Sequence, residues 1–453
     1  MILENAATIR LLSALVEVGA EGADRAYLLS KAGVANTTFY RVLKPLVRRG
    51  LVTEQGERYV LPLDNSFNFQ FKRLHDVERL YELDEPTRNR VLTVQEMAKT
   101  DLKERLRALW LVGSAAHRNM QATSDLDFLA VVSEGDYHPS VPYPVHFTVM
   151  TEEEFQERFS VAESFVLTAL RYGLLLEDQE FAQSYVARPI PVELSARALY
   201  ERTDEVEERR ESTLFFLSQK AREEAGESLR GYAVTVARRI LRLFGVLPAG
   251  KPDLLRGCRL LLGTQFAALI EQSVRDDFGP DWRSEMALLT SQLAASYERF
   301  SSQAAHFQEL AVQFVAGQEQ FARGVLEEIF DPASWTWLDR YADGILRLGK
   351  RSYLVQIKSL KGPCQVGVLE RLEQARKKLN IRCDLLVVAN PYSGIPLLEQ
   401  AASFSDEFLG QARAKRIRVI SFLDLARYHN AMHLMGLEPA EVGQAVLGLH
   451  AQM

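Results

Sequence analysis

Hydrophobic positions along this chain change their period several times, and each change marks a different kind of segment. Over residues 5–18, Ile9, Leu12, Leu15 and Val16 share one helical face. Residues 24–32 predict a short second helix ended by Gly33. Asn36-Thr37-Thr38 then offers N-cap chemistry for a third helix that runs through Arg49 to a stop at Gly50. Pro45 inside that helix should kink it or end its first half. A hairpin of residues 51–53 and 58–61 follows, turned at Gln55-Gly56. Residues 66–107 read as charged connecting helices that contain Pro86. Two apolar runs, 109–112 and 128–132, read as strands. A third strand is expected at 143–150, where alternation turns His146 and Thr148 to the polar face and Val145, Phe147 and Val149 inward. Thr151 with Glu154 three residues on signals a helix start, and 161–185 continues as an amphipathic helix and turn.

From about residue 192 to 329 the period is helical, with long segments at 196–223, 227–245, 252–276, 282–298 and 301–329 punctuated by Pro248, Pro252 and Pro280. Beyond Asp339 it changes to short strands and intervening helices. Residues 342–348 and 352–359 predict a hairpin around Gly349-Lys350-Arg351. A helix at 366–379, a buried strand at 383–389, a helix at 396–414 and a last strand at 418–422 follow. An even hairpin loop sets Leu348 opposite Tyr353, Leu346 opposite Val355 and Gly344 opposite Ile357, which makes one face continuously apolar. The same register sets Asp343 across from Lys358 on the other face, with Gln356 two residues away. An odd loop scatters both groups.

Length alone makes this a multidomain chain. No apolar run reaches the roughly 18–20 residues of a membrane span, and the first residues lack the order of a signal peptide. Cys258, Cys364 and Cys383 form no CxxC pair, so neither a disulfide framework nor a zinc site is indicated. A cytoplasmic location and no membrane partner are expected. The formal net charge of −6 is unevenly spread. Residues 1–63 carry about +2 and residues 331–453 about +4, leaving about −12 for the middle, so the two ends are the places to meet a polyanion.

The densest chemistry is Gly113-Ser114 followed by Ser124-Asp125-Leu126-Asp127. Residues two apart on a strand share a face, so Asp125 and Asp127 offer two hard oxygen ligands to one side. Gly113 lets the backbone turn close to a phosphate, and Ser114 offers a hydroxyl and an N–H. This stretch resembles the nucleotidyltransferase superfamily that includes DNA polymerase β, most closely its minimal and antibiotic-modifying members. The resemblance implies a site for Mg²⁺ and an NTP. Arg118 stands where the family has a second glycine, and His146 about where it has a third carboxylate.

The three helices and hairpin of the N-terminus, with "VLKPLVRRGLV", resemble the winged-helix family. That resemblance implies DNA as a partner, with Asn36, Thr37, Thr38, Tyr40, Arg41 and Lys44 along the reading helix and Lys44, Arg48, Arg49 and Arg58 on phosphates. A winged helix used only for docking or dimerisation is the plainer reading. The C-terminal element order with Asp343, Gln356 and Lys358 resembles the PD-(D/E)xK restriction-endonuclease superfamily, in the Gln-x-Lys variant of its Mrr-like members. It implies Mg²⁺ or Mn²⁺ held by Asp343 and Gln356, Lys358 acting on water and phosphate charge, and a helix carboxylate from Glu327 or Glu328. The plainer reading is a hairpin whose Lys358 solvates an edge. A lone helical His306 is expected to be a packed or surface residue.

The fold class expected is multidomain α/β and α+β. It comprises a winged helix at 1–64, connecting helices at 65–107, a nucleotidyltransferase-like mixed sheet at 108–185, a helical bundle at 186–325 and a nuclease-like α/β domain at 326–453. Three functional readings follow from these resemblances. The first is a metal-dependent DNA endonuclease with a nucleotidyltransferase-like sensor or scaffold, in prokaryotic defence or restriction. The second is an active nucleotidyltransferase modifying a protein, small molecule or nucleic acid. The third is a non-enzymatic DNA-binding regulator or assembly subunit. Family habit implies a homodimer or a defence-system partner subunit.

Overall fold

The computed structural model describes residues 5–56, 58–117, 125–189, 194, 198–199, 203–275, 277–359, 364–390 and 404–448. They form two compact units: residues up to 189 with Leu247–Lys251, and the remaining described residues. Helices and small sheets alternate in both, so the chain is a mixed α/β protein.

In the first unit, helices Ala6–Val18, Arg25–Ala32 and Asn36–Arg48 accompany strands β1 (Ala23–Asp24), β2 (Thr53–Gln55) and β3 (Arg58–Val60), in sheet order β1-β3-β2. The third helix is capped by Ala35 without a side-chain hydrogen bond, not by the Asn-Thr-Thr run. Asn36 and Thr37 stand inside it and exposed. Pro45 does not end the helix, which continues to Arg48. Two helices follow, Ser66–Tyr81 and Glu85–Leu102. Asn65 caps the first by accepting from Phe67 N, and Pro86 lies in the first turn of the second, where no helical N–H is lost. Lys72 and Asp76 form an ion pair buried in the first of these helices, and Asp76 also accepts from Leu175 N at 3.2 Å.

A four-stranded sheet comes next: β4 (Leu106–Val112), β5 (Leu126–Val132), β6 (Val145–Thr151) and β7 (Leu174–Asp178), in the order β6-β5-β4-β7. β5 and β6 are parallel and the other pairs antiparallel. Both faces of β4 and β5 are covered. Ala108, Trp110, Val112, Leu129 and Val131 join a cluster with Leu11, Leu28, Phe39 and Phe155; Leu109, Leu111, Phe128 and Ala130 join one with Val91, Val94 and Ala98. Burial on both sides gives the continuous apolar runs read as strands. β7 corrects the expected helix and turn over 161–185. The helix there is Ser164–Tyr172, and Leu174-Leu175-Leu176 enters the sheet as a short run with no alternation to announce it. Thr151 does cap the Glu152–Ser160 helix, accepting from Glu154 N at 3.1 Å.

The second unit is helical up to Ile329, then sheet-centred. The helices are Thr203–Gln219, Arg222–Leu243, Lys251–Gly257 (its first residue belonging to the other unit), Thr264–Ser273, Trp282–Ser302, Ala304–Val315 and Glu319–Ile329. Two breaks depart from the expected segments. Cys258–Leu262 forms a π-helical turn, and Gly263 at φ +89° ends it where a Cβ would meet the Cβ of Ala431 at 2.6 Å. Gly317 at φ +65° divides the 301–329 segment.

The five-stranded sheet holds β8 (Trp335–Trp337), β9 (Gly344–Leu348), β10 (Arg351–Ser359), β11 (Asp384–Asn390) and β12 (Ile417–Ser421), in order β12-β11-β10-β9-β8. β10, β11 and β12 run parallel, as strands joined through helices do. The connecting helices Gly367–Leu379 and Asp406–Ala414 pack Leu369, Leu372 and Phe408 on Leu354, Leu385 and Val387. Helices Phe422–Met435 and Pro439–Gly448 close the chain. Residues 396–403 of the expected 396–414 helix lie outside the described residues.

Candidate functional site

The β9–β10 hairpin brings together the residues singled out near the carboxyl end, in a register two residues away from the expected one. Its loop is Gly349-Lys350 alone, so Leu346 opposes Tyr353 and Gly344 opposes Val355. The slip keeps each side chain on its face, since faces repeat every two residues. Asp343 N donates to Val355 O at 3.0 Å, which sets Asp343 beside Gln356 rather than across from Lys358. Its Oδ2 accepts from Gln356 Nε2 and, at 2.6 Å, from Ile357 N. Lys358 lies two residues further along the same face, half-buried.

Of the carboxylates on the preceding helix, Glu319 rather than Glu327 or Glu328 lies beside Lys358. Glu319, in the first turn after the Gly317 break, accepts from Ser359 N at 3.1 Å, and its Oε1 lies 4.0 Å from Lys358 Nζ. Glu327 is turned away, accepting from Trp337 Nε1 at 2.7 Å and Arg323 Nε at 3.3 Å. Glu328 is held by three imidazoles: His306 at 2.8 Å, His429 at 2.9 Å and His433 at 3.1 Å. His306 is therefore not alone. A signal for Glu319 existed in Gly317, which interrupts the helical period and starts a new first turn. A signal for the imidazole group existed in the i, i+4 pair His429 and His433.

Burial raises the Asp343 carboxyl above its ordinary value, and Glu319 adds to the rise. The Ile357 N–H, the Lys358 ammonium and the Gln356 amide work against it without cancelling it. Oδ1 of Asp343 accepts no hydrogen bond among the described residues. The half-buried Asp343 carboxylate, Glu319 and the Gln356 amide are oxygen-bearing groups, the kind of donor that hard cations take.

The sequence-predicted pocket of the first unit also assembles in part. Asp127, second residue of β5, pairs in register with Val112 on one side and His146 on the other. His146 Nδ1, on the neighbouring strand β6, lies 3.7 Å from Asp127 Oδ1. Gly113 has φ +69°, and a Cβ there would stand 2.1 Å from Asp127 Oδ2. The glycine is thus required by the carboxylate as well as by the turn. Ser114 follows in a four-residue helical turn, half-buried, and Asp125 is exposed one residue before β5. Burial raises the Asp127 carboxyl; His146 opposes the shift and Asp125 reinforces it. Arg118 and Ser124 lie outside the described residues.

On the Asn36–Arg48 helix, Asn36, Thr37, Tyr40, Arg41, Lys44 and Arg48 are exposed, as is the following Arg49, while Thr38 is half-buried. Phe39, Val42, Leu43 and Leu46 fill the opposite, buried side. Tyr40 accepts from Arg25 Nη1 at 3.0 Å, which ties its hydroxyl down. Arg58 is half-buried and donates to Glu21 O at 3.4 Å. One face of this helix is therefore polar and basic along its length.

No protein-family model matches the chain, and no curated protein matches it. Among solved structures, a nucleotidyltransferase-like protein from Exiguobacterium sibiricum aligns over 48% of this chain and 79% of its own length. Its identity is 10% and the TM-score 0.26, a likeness too low to carry an argument. No described helix is long and apolar enough to cross a membrane.

Proposed function

We propose that this chain is a metal-dependent DNA nuclease whose chemistry belongs to the β9–β10 hairpin and the first turn of the Glu319–Ile329 helix. One observation carries the reading: Asp343 contacts Gln356 and the Ile357 N–H, and Lys358 and Glu319, themselves 4.0 Å apart, both act on its charge. Element order and sheet topology support a PD-(D/E)xK-like core, with Glu319 as the helix carboxylate. A divalent cation held by Asp343, Glu319 and the Gln356 amide oxygen would polarise a phosphodiester and acidify water. Lys358 supplies a positive charge to the phosphate oxygens as negative charge builds on them. The exposed basic face of the Asn36–Arg48 helix supports a winged-helix DNA reader, and the positive balance of residues 331–453 supports the same polyanionic substrate. A setting in defence or restriction, and the company of a second copy or partner subunit, belong to the same proposal.

The test is incubation of the full chain with plasmid and short duplexes in Mg²⁺ or Mn²⁺, beside Asp343→Ala and Glu319→Ala. Metal-dependent cleavage lost in both variants is the expected result; cleavage surviving in Asp343→Ala defeats the assignment. A second reading, nucleotidyl transfer, is favoured by the approach of Asp127 to Gly113 and His146. It requires label transfer from an NTP that vanishes in Asp127→Ala and persists in Asp343→Ala. If neither turnover is seen while DNA still binds, the chain is a non-enzymatic DNA-binding subunit.

A further inference from the structure

The imidazole group around Glu328 is built from three helices of the second unit: His306 from Ala304–Val315, Glu328 from Glu319–Ile329, and His429 with His433 from Phe422–Met435. The Nε2 atoms of His429 and His433 lie 2.9 and 3.1 Å from Glu328 Oε2, and that of His306 lies 2.8 Å from Oε1. Ligand atoms of His306, Glu328 and His429 all lie within 4.8 Å of one another. Residues 429 and 433 are one helical turn apart, so their rings stand on one face, with centroids 4.4 Å apart.

Two arrangements can satisfy such a group: N–H donors on a carboxylate, or nitrogens and an oxygen on a cation. Asn430 Nδ2 donates to Leu261 O at 2.8 Å, a carbonyl in the π-helical turn, and this fixes which way the amide points. Its oxygen then faces Nδ1 of His429 at 3.4 Å. His429 is only 1% exposed, with Nε2 turned to the centre of the group, 2.9 Å from Glu328 Oε2. An imidazole whose Nδ1 meets an amide oxygen and whose Nε2 faces the centre has the orientation that outer hydrogen-bond partners give to metal-bound imidazoles.

We infer that His306, Glu328 and His429 form a binding site for one transition-metal ion of the Zn²⁺ class, with His433 on Glu328 beside it. Two imidazole nitrogens and one carboxylate oxygen suit Zn²⁺ or Co²⁺ and do not suit Mg²⁺ or Ca²⁺, which take oxygen. Three protein ligands leave the fourth position of a tetrahedral shell to water. The ion ties three helices together, one of them the helix whose first turn carries Glu319. It is separate from the Asp343 donor set, and neither inference depends on the other.

The full chain, stripped with a chelator and dialysed, is titrated with Zn²⁺ and separately with Co²⁺ in excess Mg²⁺. One equivalent should bind per chain, Co²⁺ should give the visible absorption of a tetrahedral nitrogen–oxygen site, and saturating Zn²⁺ should raise Tm by about 5 °C. His306 is the more exposed imidazole ligand, its side chain 39% accessible, so His306→Ala should keep the fold by circular dichroism. It should weaken Co²⁺ binding at least tenfold and abolish the tetrahedral spectrum, while Asp343→Ala leaves both intact. No Co²⁺ spectrum and no shift of Tm in the stripped wild-type chain would overturn the site. So would a spectrum unchanged in folded His306→Ala.

Discussion

Replacing Lys358 by alanine should separate the chemistry from the fold. The ammonium and Glu319 are 4.0 Å apart, and their side chains are 32% and 45% exposed. A pair so wet and so far apart contributes less than about 1 kcal/mol to stability. Lys358→Ala should therefore melt within about 2–4 °C of the wild type. On the proposed nuclease reading, its effect on cleavage is of another size. At a distance of about 4 Å and an effective dielectric constant near 20, a unit charge acts on phosphate with about 4 kcal/mol. Removing a preorganised stabiliser of developing charge costs roughly 10²–10³ in rate. The profile against pH should move as well. Burial and Glu319 raise the Asp343 carboxyl, and Lys358 is among the groups that hold it down. Asp343 must be ionised to hold a cation, so activity climbs as pH rises through its folded value, and without the lysine this climb should begin at higher pH. Linkage has the opposite sign for stability. A folded value above the unfolded one makes this carboxyl stabilising at low pH, and that contribution is lost as pH rises through the folded value. The assay is plasmid relaxation in Mg²⁺ at several pH values, with Tm by circular dichroism on the same preparations. Cleavage by Lys358→Ala at the wild-type rate would refute the reasoning, and so would a fall in Tm of 8 °C or more.

Other perturbations test other parts of the chain. Gly113→Ala places a Cβ 2.1 Å from Asp127 Oδ2 at φ +69° and should cost about 1–2 kcal/mol from the backbone alone; a melting curve identical to wild type would contradict the close approach. Arg41→Ala and Lys44→Ala, on the exposed face of the third helix, should each lower the slope of log K for DNA against log salt by about 1. An unchanged slope in both would remove this helix from the interface. Lys72→Met leaves Asp76, 2% exposed at its side chain, without its partner and should destabilise the first unit by about 3–5 kcal/mol. A loss under about 1 kcal/mol by urea titration would show that the pair is not isolated from water.

Local chemistry was legible where a segment's neighbours in sequence are also its neighbours in space. Turn glycines, the Thr151 cap and the three-helix-then-hairpin order at the N-terminus follow from spacing alone. On β10 parity told which side chains share a side, a local property of a pleated strand, but both sides are buried from Tyr353 to Ile357, so no exposed polar face stood opposite the apolar one. It could not choose the register. Slipping β9 by two residues preserves every face, and the tight Gly349-Lys350 turn selected between the two solutions. β7 was hidden for a related reason: a leucine run buried on both sides has no period.

Convergence of side chains from distant segments was the part that only packing could settle. Glu319, Glu327 and Glu328 share one helix, and nothing in their spacing says which faces Lys358, which faces Trp337 and which faces His429. Each answer depends on where strands and helices up to a hundred residues away come to rest. Periodicity specifies which side of an element is apolar, because water acts on each residue where it stands. Which polar groups meet on the other side is set by how whole elements stack, and that energy is shared over the entire core.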